Sequence, residues 1–301
     1  MTATPPPETA LCGLGPMGAP IASRILESGH RLTVWNRTAE KALPYAELGA
    51  HIASSPADAA APVVLTVLPD LAQVEDVVFG ENGLLEGWRV RRITSPTLVV
   101  HGTTSPTATA SFASHMLARH DVHVVDAPLS GGTQGAAAGT LSIMLGGDQE
   151  RARSLTSLFR AYGRVVTYFG PSGAGALAKA CNQIVVASTV AAVSEAVVLA
   201  EHGGLDVADL FEVLEAGLAG SEVIRQKKSK WIEESFAEGG SGTNQLKDLR
   251  FVHAAAEESG LDLTVVESVR ALFERMVERG EGDLDHTAVI RTVRAGRDET
   301  T

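Results

Sequence analysis

Three glycines at fixed spacing, in Gly13-Leu14-Gly15-Pro16-Met17-Gly18, limit what this chain can fold into more than any other feature. They follow an apolar run, Thr9–Cys12, and open a segment, Pro16–Ser28, with the apolar spacing of a helix. Pro16 suits the first turn of that helix and Gly29 the position past its end. In a G-x-G-x-x-G turn between strand and helix, the first glycine makes the tight turn. The second lets a pyrophosphate approach the backbone, and the third lets the helix pack close to the sheet. Free N–H groups and the positive end of the helix dipole then face the phosphates. Glycine turns are common, but here the strand, helix and next strand all have suitable lengths. Gly13, Leu14, Gly15, Pro16, Met17 and Gly18 are therefore candidate cofactor-binding residues.

The second strand ends in Trp35-Asn36-Arg37-Thr38. NAD-selective sites usually place an acid here to hold the ribose 2′-hydroxyl, and none is present. Asn36 is neutral, while Arg37 and Thr38 could hold a 2′-phosphate by a charge-assisted contact. A loop arginine is also commonly just solvated. NADP(H) is expected over NAD(H), with NAD(H) left open.

The first half alternates short β-rich runs with helical patterns, as βαβ units in a parallel sheet do. Strands are expected at Thr9–Cys12, Arg31–Trp35, Val63–Leu68, Leu98–Val100, Val122–Val125, Leu141–Leu145 and Val165–Phe169, and a further helix at Asp70–Phe79. From Gly173 onward the patterns are helical only. Ala176–Glu201 reads as one long helix, apolar nearly all round and about 39 Å long at the usual rise, stopped by Gly203 and Gly204. Further helices are expected at Val207–Glu215, Gln245–Glu258, Leu263–Arg279 and Asp285–Arg294. The fold class is thus an α/β Rossmann-type N-terminal domain (1–170) joined by a long inter-domain helix to an all-α C-terminal domain (171–301).

A length of 301 residues suits two domains. The net charge of −11 would repel nucleic acid and anionic membranes, so neither is an expected partner; a small acidic substrate needs only a local basic site. Cys12 and Cys181 form no framework or metal spacing and read as small apolar fillers. Met1–Thr9 lacks the features of a signal peptide. Ile184–Ala200, the most apolar stretch, is interrupted by Ser188, Thr189, Ser194 and Glu195, too short and broken for a membrane span. A cytoplasmic enzyme fits these features.

Two further segments carry chemistry. In Asp126-Ala127-Pro128-Leu129-Ser130-Gly131-Gly132, a serine beside two glycines can offer a hydroxyl and backbone N–H groups to a carboxylate. Taken alone, it is more often an ordinary turn. In Gly173-Ala174-Gly175-Ala176-Leu177-Ala178-Lys179-Ala180-Cys181-Asn182-Gln183, the residues Lys179, Asn182 and Gln183 stand at i, i+3 and i+4 and share a helix face. A partly desolvated lysine can exchange protons usefully. By helix position alone, a solvated first turn fits equally well.

These segments, the loop GLGPMGAPIASRILESGH, the stretch VDAPLSGGTQGAAAGTLSIMLGG, GAGALAKACNQ and Leu246-Lys247-Asp248-Leu249, come in the order seen in the β-hydroxyacid dehydrogenase family. The chain resembles that family over roughly Ala10 to Arg294, and among its members looks closest to tartronate semialdehyde reductases. The resemblance implies an NAD(P)-dependent oxidoreductase interconverting a small semialdehyde acid and its hydroxy acid, of the tartronate, methylmalonate or succinic semialdehyde type. It implies Lys179 as the general acid/base and Ser130, Gly131 and Gly132 as the substrate-carboxylate anchor. Asn182 or Gln183 would orient the substrate oxygen, and Lys247 would lie near cofactor and substrate. Leu68, Pro69 and Thr103 would join the cofactor contacts. Asp248 would have a more structural role. It further implies a 6-phosphogluconate dehydrogenase-like C-terminal domain, substrate in the cleft between domains, and a homodimer or homotetramer. No metal is expected.

Two departures stand out. Where the family shows Asp-x-Ser-Ser/Thr, this chain has His101-Gly102-Thr103-Thr104, keeping one hydroxyl, Thr103, to face a nicotinamide. The preceding loop, Leu84 to Thr97, carries Arg89, Arg91 and Arg92, read as a solvated surface with a phosphate or subunit contact as the alternative. Before Lys247, Gly239-Gly240-Ser241-Gly242-Thr243-Asn244 replaces an aromatic and a leucine and is expected to be flexible; if it lines the cleft, the substrate differs from the family's. Imine reductase and a non-catalytic dinucleotide-binding scaffold share the architecture, but such relatives typically lack the lysine that stands here as Lys179.

Overall fold

The computed structural model describes residues 8–237 and 239–296, so most of the proline-rich Met1–Thr9 segment lies outside the described residues. The chain divides into two compact units, Met1–Lys179 and Ala180–Thr301. The first carries strands β1 (Thr9–Cys12), β2 (Leu32–Trp35), β3 (His51–Ile52), β4 (Val63–Thr66), β5 (Thr97–Val100), β6 (His123–Asp126), β7 (Leu129–Ser130), β8 (Leu141–Gly146) and β9 (Gly163–Gly170). Its helices are α1 (Gly18–Glu27), α2 (Pro44–Glu47), α3 (Leu71–Phe79), α4 (Leu84–Val90), α5 (Pro106–His120), α6 (Gly132–Ala138), α7 (Gln149–Ser154) and α8 (Thr156–Phe159). Helix α9 (Ala174–His202) begins in this unit and continues into the second, which adds α10 (Val207–Ala216), α11 (Glu222–Ile232), α12 (Gly242–Glu258), α13 (Thr264–Glu278) and α14 (Val289–Ala295).

The sheet order is β3-β2-β1-β4-β5-β6-β8-β7, with β9 paired to β8. The pairs from β3 to β6 are all parallel, β8 runs antiparallel to β6 and β7, and β9 is parallel to β8. Order reverses at β1, between β2 and β4, so the crevice for a ligand opens beyond the carboxyl end of β1. Both faces of the central strands are covered. Leu11, Leu65 and Val99 pack into one core layer, while Ala10, Cys12, Val64, Leu98 and Val100 pack into the other. This period of two is why these strands read as continuous apolar runs.

Cys12 is fully buried, and burial pushes its thiol up to about 12, as an inert filler requires. Cys181 is exposed on α9, contrary to the filler expectation. Helix α1 begins at Gly18 rather than Pro16, because Pro16 and Met17 form the turn that leads into it. Strands β3 and β7, of two residues each, are too short to carry a pattern in the sequence. Arg89, Arg91 and Arg92 are all exposed, as a solvated surface requires; the Arg91 guanidinium also donates to the carbonyls of Ala60 and Asp58 (3.0 and 2.7 Å) and pairs with the Asp58 carboxylate (3.2 Å).

Helix α9 has 29 residues, long and apolar enough by length and composition alone to cross a membrane. Its sequence is longer than the interrupted stretch suggested. Yet Ala187, Val190, Val193 and Val197 pack in one core with Phe211, Trp231, Leu249 and Phe273. Ser194, buried in that core, accepts from Trp231 Nε1 (3.1 Å) and donates to Val190 O (2.8 Å). Helix α11 carries little apolar signal in the sequence, because lysines fill it and only Ile224 and Trp231 are buried. The expected Asp285–Arg294 helix resolves into a 3-10 turn, His286–Ala288, followed by α14.

The glycine-rich stretch is not the flexible segment expected. Gly242, Thr243 and Asn244 form the first turn of α12, capped by Ser241, whose Oγ accepts from Asn244 N (3.2 Å). Ser241 also bridges Asp285, and His286 N donates to Gly240 O (2.7 Å). Asp285 is buried and accepts from Lys227 Nζ (2.6 Å) and Thr287 Oγ1 (2.7 Å). At Gly239 φ is +141°, and a Cβ there would lie 1.6 Å from Asp285 Oδ2. The glycine therefore serves close approach, not freedom. Gly239→Ala is expected to destabilise the protein by about 2–3 kcal/mol in urea unfolding. A loss under about 0.5 kcal/mol, the size of an ordinary surface substitution, would contradict this packing.

Candidate active site

The glycine loop separates into residues the fold needs and one it does not. A Cβ at Gly13, where φ is +106°, would lie 2.5 Å from Val67 O; one at Gly18 would lie 1.8 Å from Gly13 O. These two glycines let α1 pack against the ends of β1 and β4. At Gly15 a Cβ would meet no atom within 4 Å. Nothing in the protein itself demands glycine there, whereas a pyrophosphate lying on the backbone does. The open cradle thus fits a dinucleotide.

Asn36 is the loop's latch. Its Oδ1 accepts from Leu14 N (2.8 Å) and its Nδ2 donates to Thr38 O (2.9 Å). The side chain is thereby committed at both ends, while Arg37 and Thr38 stand exposed beyond it. At the neighbouring strand ends Leu68 is half-buried, Pro69 exposed and Thr103 half-buried.

His101, standing where the resemblance led one to expect an aspartate, is buried. Its Nδ1 lies 2.6 Å from Ala127 O and its Nε2 lies 3.0 Å from Tyr162 Oη. A carbonyl only accepts, so Nδ1 carries the proton and Nε2 accepts from the tyrosine. Burial pushes the imidazole down to about 4, so it is neutral at physiological pH. It ties the end of β5 to the chain just after β6.

The end of β6 holds Asp126, also buried. Its Oδ1 accepts from Gly173 N and its Oδ2 from Ala176 N, both at 2.9 Å, at the start of α9. Burial raises this carboxyl above its usual range, and the N–H donors of Gly173 and Ala176 oppose that rise. From Asp126 the chain runs to Ser130, paired with Ser142 of β8, and then to Gly131 and Gly132 at the start of α6. Ser130 and Gly131 are half-buried and Gly132 is exposed.

On α9, Lys179 is buried at 8% exposure, and Asn182 and Gln183 follow at helical spacing. Asn182 Oδ1 is buried with no hydrogen-bond partner among the described residues. Such an orphaned acceptor costs about 1–3 kcal/mol, a cost that a bound donor would remove. Gln183 Nε2 donates to Asp248 Oδ2 (2.7 Å), and Lys247 Nζ lies 3.6 Å from Asp248 Oδ1. The second unit thus brings Gln183, Lys247 and Asp248 together. His101, Asp126 and the latch at Asn36 were not assigned these contacts from the sequence. The one available signal was a lone acid heading the Ser-Gly-Gly segment.

Known proteins agree with this architecture. Residues 8–170 match the family described as the NAD binding domain of 6-phosphogluconate dehydrogenase. Residues 173–293 match that described as NAD-binding of NADP-dependent 3-hydroxyisobutyrate dehydrogenase. The chain is 32% identical to 2-hydroxy-3-oxopropionate reductase of Escherichia coli, over 93% of this chain and 95% of the relative. It is also 32% identical to an NAD-dependent L-serine dehydrogenase of Pseudomonas aeruginosa, over 94% and 96%. The solved structure of Mycobacterium tuberculosis 3-hydroxyisobutyrate dehydrogenase with L-serine matches with TM-score 0.80 and 29% identity, over 96% of this chain and 99% of that one. The chain belongs to the 3-hydroxyisobutyrate dehydrogenase-like family of the 6-phosphogluconate dehydrogenase superfamily. It is an NAD(P)-dependent oxidoreductase.

Two expectations follow. Gly15→Ala leaves thermal unfolding essentially unchanged while weakening nicotinamide dinucleotide binding about tenfold or more by titration; equal loss of stability and affinity would show the glycine to be structural. His101 and His286 are both held near 4 by burial, below the ordinary value of 6.5. Their neutral burial supports the fold above pH 6.5, and that support is lost as pH falls through 4. Each steepens the stability profile in this window by about 1.4 kcal/mol per pH unit. Urea melts across the window should show His101→Gln taking up about one proton fewer on unfolding than the parent; an unchanged slope would refute a neutral His101.

Proposed function

We propose that the protein interconverts a small semialdehyde acid and its hydroxy acid, with Lys179 giving the proton in reduction and taking it in oxidation. The observation that carries this is the burial of Lys179 on α9. A lysine held largely out of bulk water is suited to exchange a proton with a bound substrate. When bound, the nicotinamide supplies the hydride for reduction and receives it in oxidation.

The backbone of Gly13 to Gly18 holds the pyrophosphate, and Leu68, Pro69 and Thr103 line the nicotinamide end. With no acid at the end of β2 and Asn36 committed to the loop, the exposed Arg37 and Thr38 favour NADP(H), and NAD(H) is the second choice. Ser130, with the N–H groups of Gly131 and Gly132, binds the substrate carboxylate. Asn182 orients the substrate, its orphaned Oδ1 accepting from the substrate hydroxyl. Gln183, bonded to Asp248, serves to hold that helix face, and Lys247 adds positive charge for the acid.

Tartronate, methylmalonate and succinic semialdehydes are the proposed substrate types. A β-hydroxy amino acid is the second reading, because one relative is named an L-serine dehydrogenase and a solved relative carries L-serine. Homo-dimers or tetramers are proposed from the exposed apolar side chains Val185, Leu199, Val213 and Leu218 of the second unit.

Turnover of these aldehyde acids should be followed by nicotinamide absorbance with NADPH and NADH separately, and oxidation of L-serine with NADP+ and NAD+ separately. An aldehyde acid is expected to turn over, and Lys179→Ala to lower kcat about a hundredfold or more. Cofactor binding without turnover of any acid would sink this reading.

A further inference from the structure

We infer that Asp126 is a positioning residue for Lys179, fixing the first turn of α9 against the end of β6. The inference rests on the reading of Lys179 as the proton-transfer group.

Both Asp126 oxygens are committed, one to Gly173 N and one to Ala176 N, across 47 and 50 residues of chain. The first amides of a helix have no partner within it, and a helix is usually capped by a neighbour in sequence. Here the acceptor comes from a strand of the sheet instead. Two contacts on one carboxylate define both how far α9 projects from the sheet and how its first turn is rotated. Lys179 follows Ala176 by three residues, less than one turn. Any slip or rotation of that turn is passed to the lysine almost undiminished.

The surroundings are cut to fit this carboxylate. A Cβ at Gly146 would lie 2.5 Å from Asp126 Oδ2 and 2.6 Å from Gly175 N. A Cβ at Gly175 would lie 2.4 Å from Met144 O and 2.8 Å from Asp126 Oδ2. Met144 and Gly146 belong to β8, so strand, carboxylate and helix start are in close contact. Asp126 also ends β6 just before the Ser130–Gly132 turn. One side chain therefore sets the registry between the proposed carboxylate anchor and the proposed proton donor. All these residues lie within the first unit.

The test compares Asp126→Asn, Lys179→Ala and Leu158→Ala with the parent protein. Leu158 is a buried core residue of α8 outside the site, and its truncation supplies a loss of stability without a lost anchor. Asp126→Asn leaves at most one acceptor for the two amides. Its kcat for aldehyde-acid reduction is expected to fall about thirtyfold or more, as a misplaced group does. Its KM should stay within about threefold, and Leu158→Ala should keep kcat within about twofold. Amide exchange over residues 173–176, followed by mass spectrometry without cofactor, should speed about tenfold or more in Asp126→Asn but not in Leu158→Ala. Should Asp126→Asn fail to fold, Gly146→Ala displaces the same carboxylate and is expected to show the same split between kcat and KM.

A parent-like kcat in Asp126→Asn, or a kcat loss no larger than that of Leu158→Ala, overturns the inference while leaving Lys179 in its role. Lys179→Ala as active as the parent instead removes the reading of Lys179, and with it the purpose assigned to Asp126.

Discussion

No side chain fits between the glycine loop and the helix that leaves it: a Cβ at Gly18 would sit 1.8 Å from Gly13 O. This contact brings α1 down against the ends of β1 and β4, where strand order reverses and the crevice opens. The latch from Asn36 to Leu14 N then holds the loop, and only Gly15 is left without a fold-imposed reason to be glycine. The loop is therefore already ordered by the fold itself.

A second constraint runs through the buried polar groups. His101, Asp126 and Asp285 each lie in the interior, and each spends its hydrogen-bonding capacity on a named partner. They join strand ends, a helix start and a turn that would otherwise carry unpaired groups. Asn182 Oδ1 differs in being buried and unpaired.

How much of this could be read from the chain follows from distance along it. Strands β1, β4 and β5 are covered on both faces, and their apolar runs declare them. The i, i+3, i+4 spacing placed Lys179, Asn182 and Gln183 on one helix face, a local property. The hydrogen bond from Gln183 to Asp248 spans 65 residues and leaves no local mark. Asp126 and its amides are similarly remote. Composition misled at Gly239, where a glycine that suggests mobility instead admits a carboxylate far along the chain. It hid α11, whose lysines mask the two residues it buries. His101 looked like a lost aspartate and proves to be a buried bridge between strand ends.

The central claim is that hydride transfer to an aldehyde acid is coupled to a proton from Lys179. The most direct measurement is single-turnover transfer of deuterium from a nicotinamide-deuterated cofactor to the carbonyl carbon, in the parent and in Lys179→Met at saturating cofactor. The account predicts label on that carbon in the parent and a rate about a hundredfold or more lower in Lys179→Met. Equal rates in the two proteins, or no label on carbon in the parent, would contradict it.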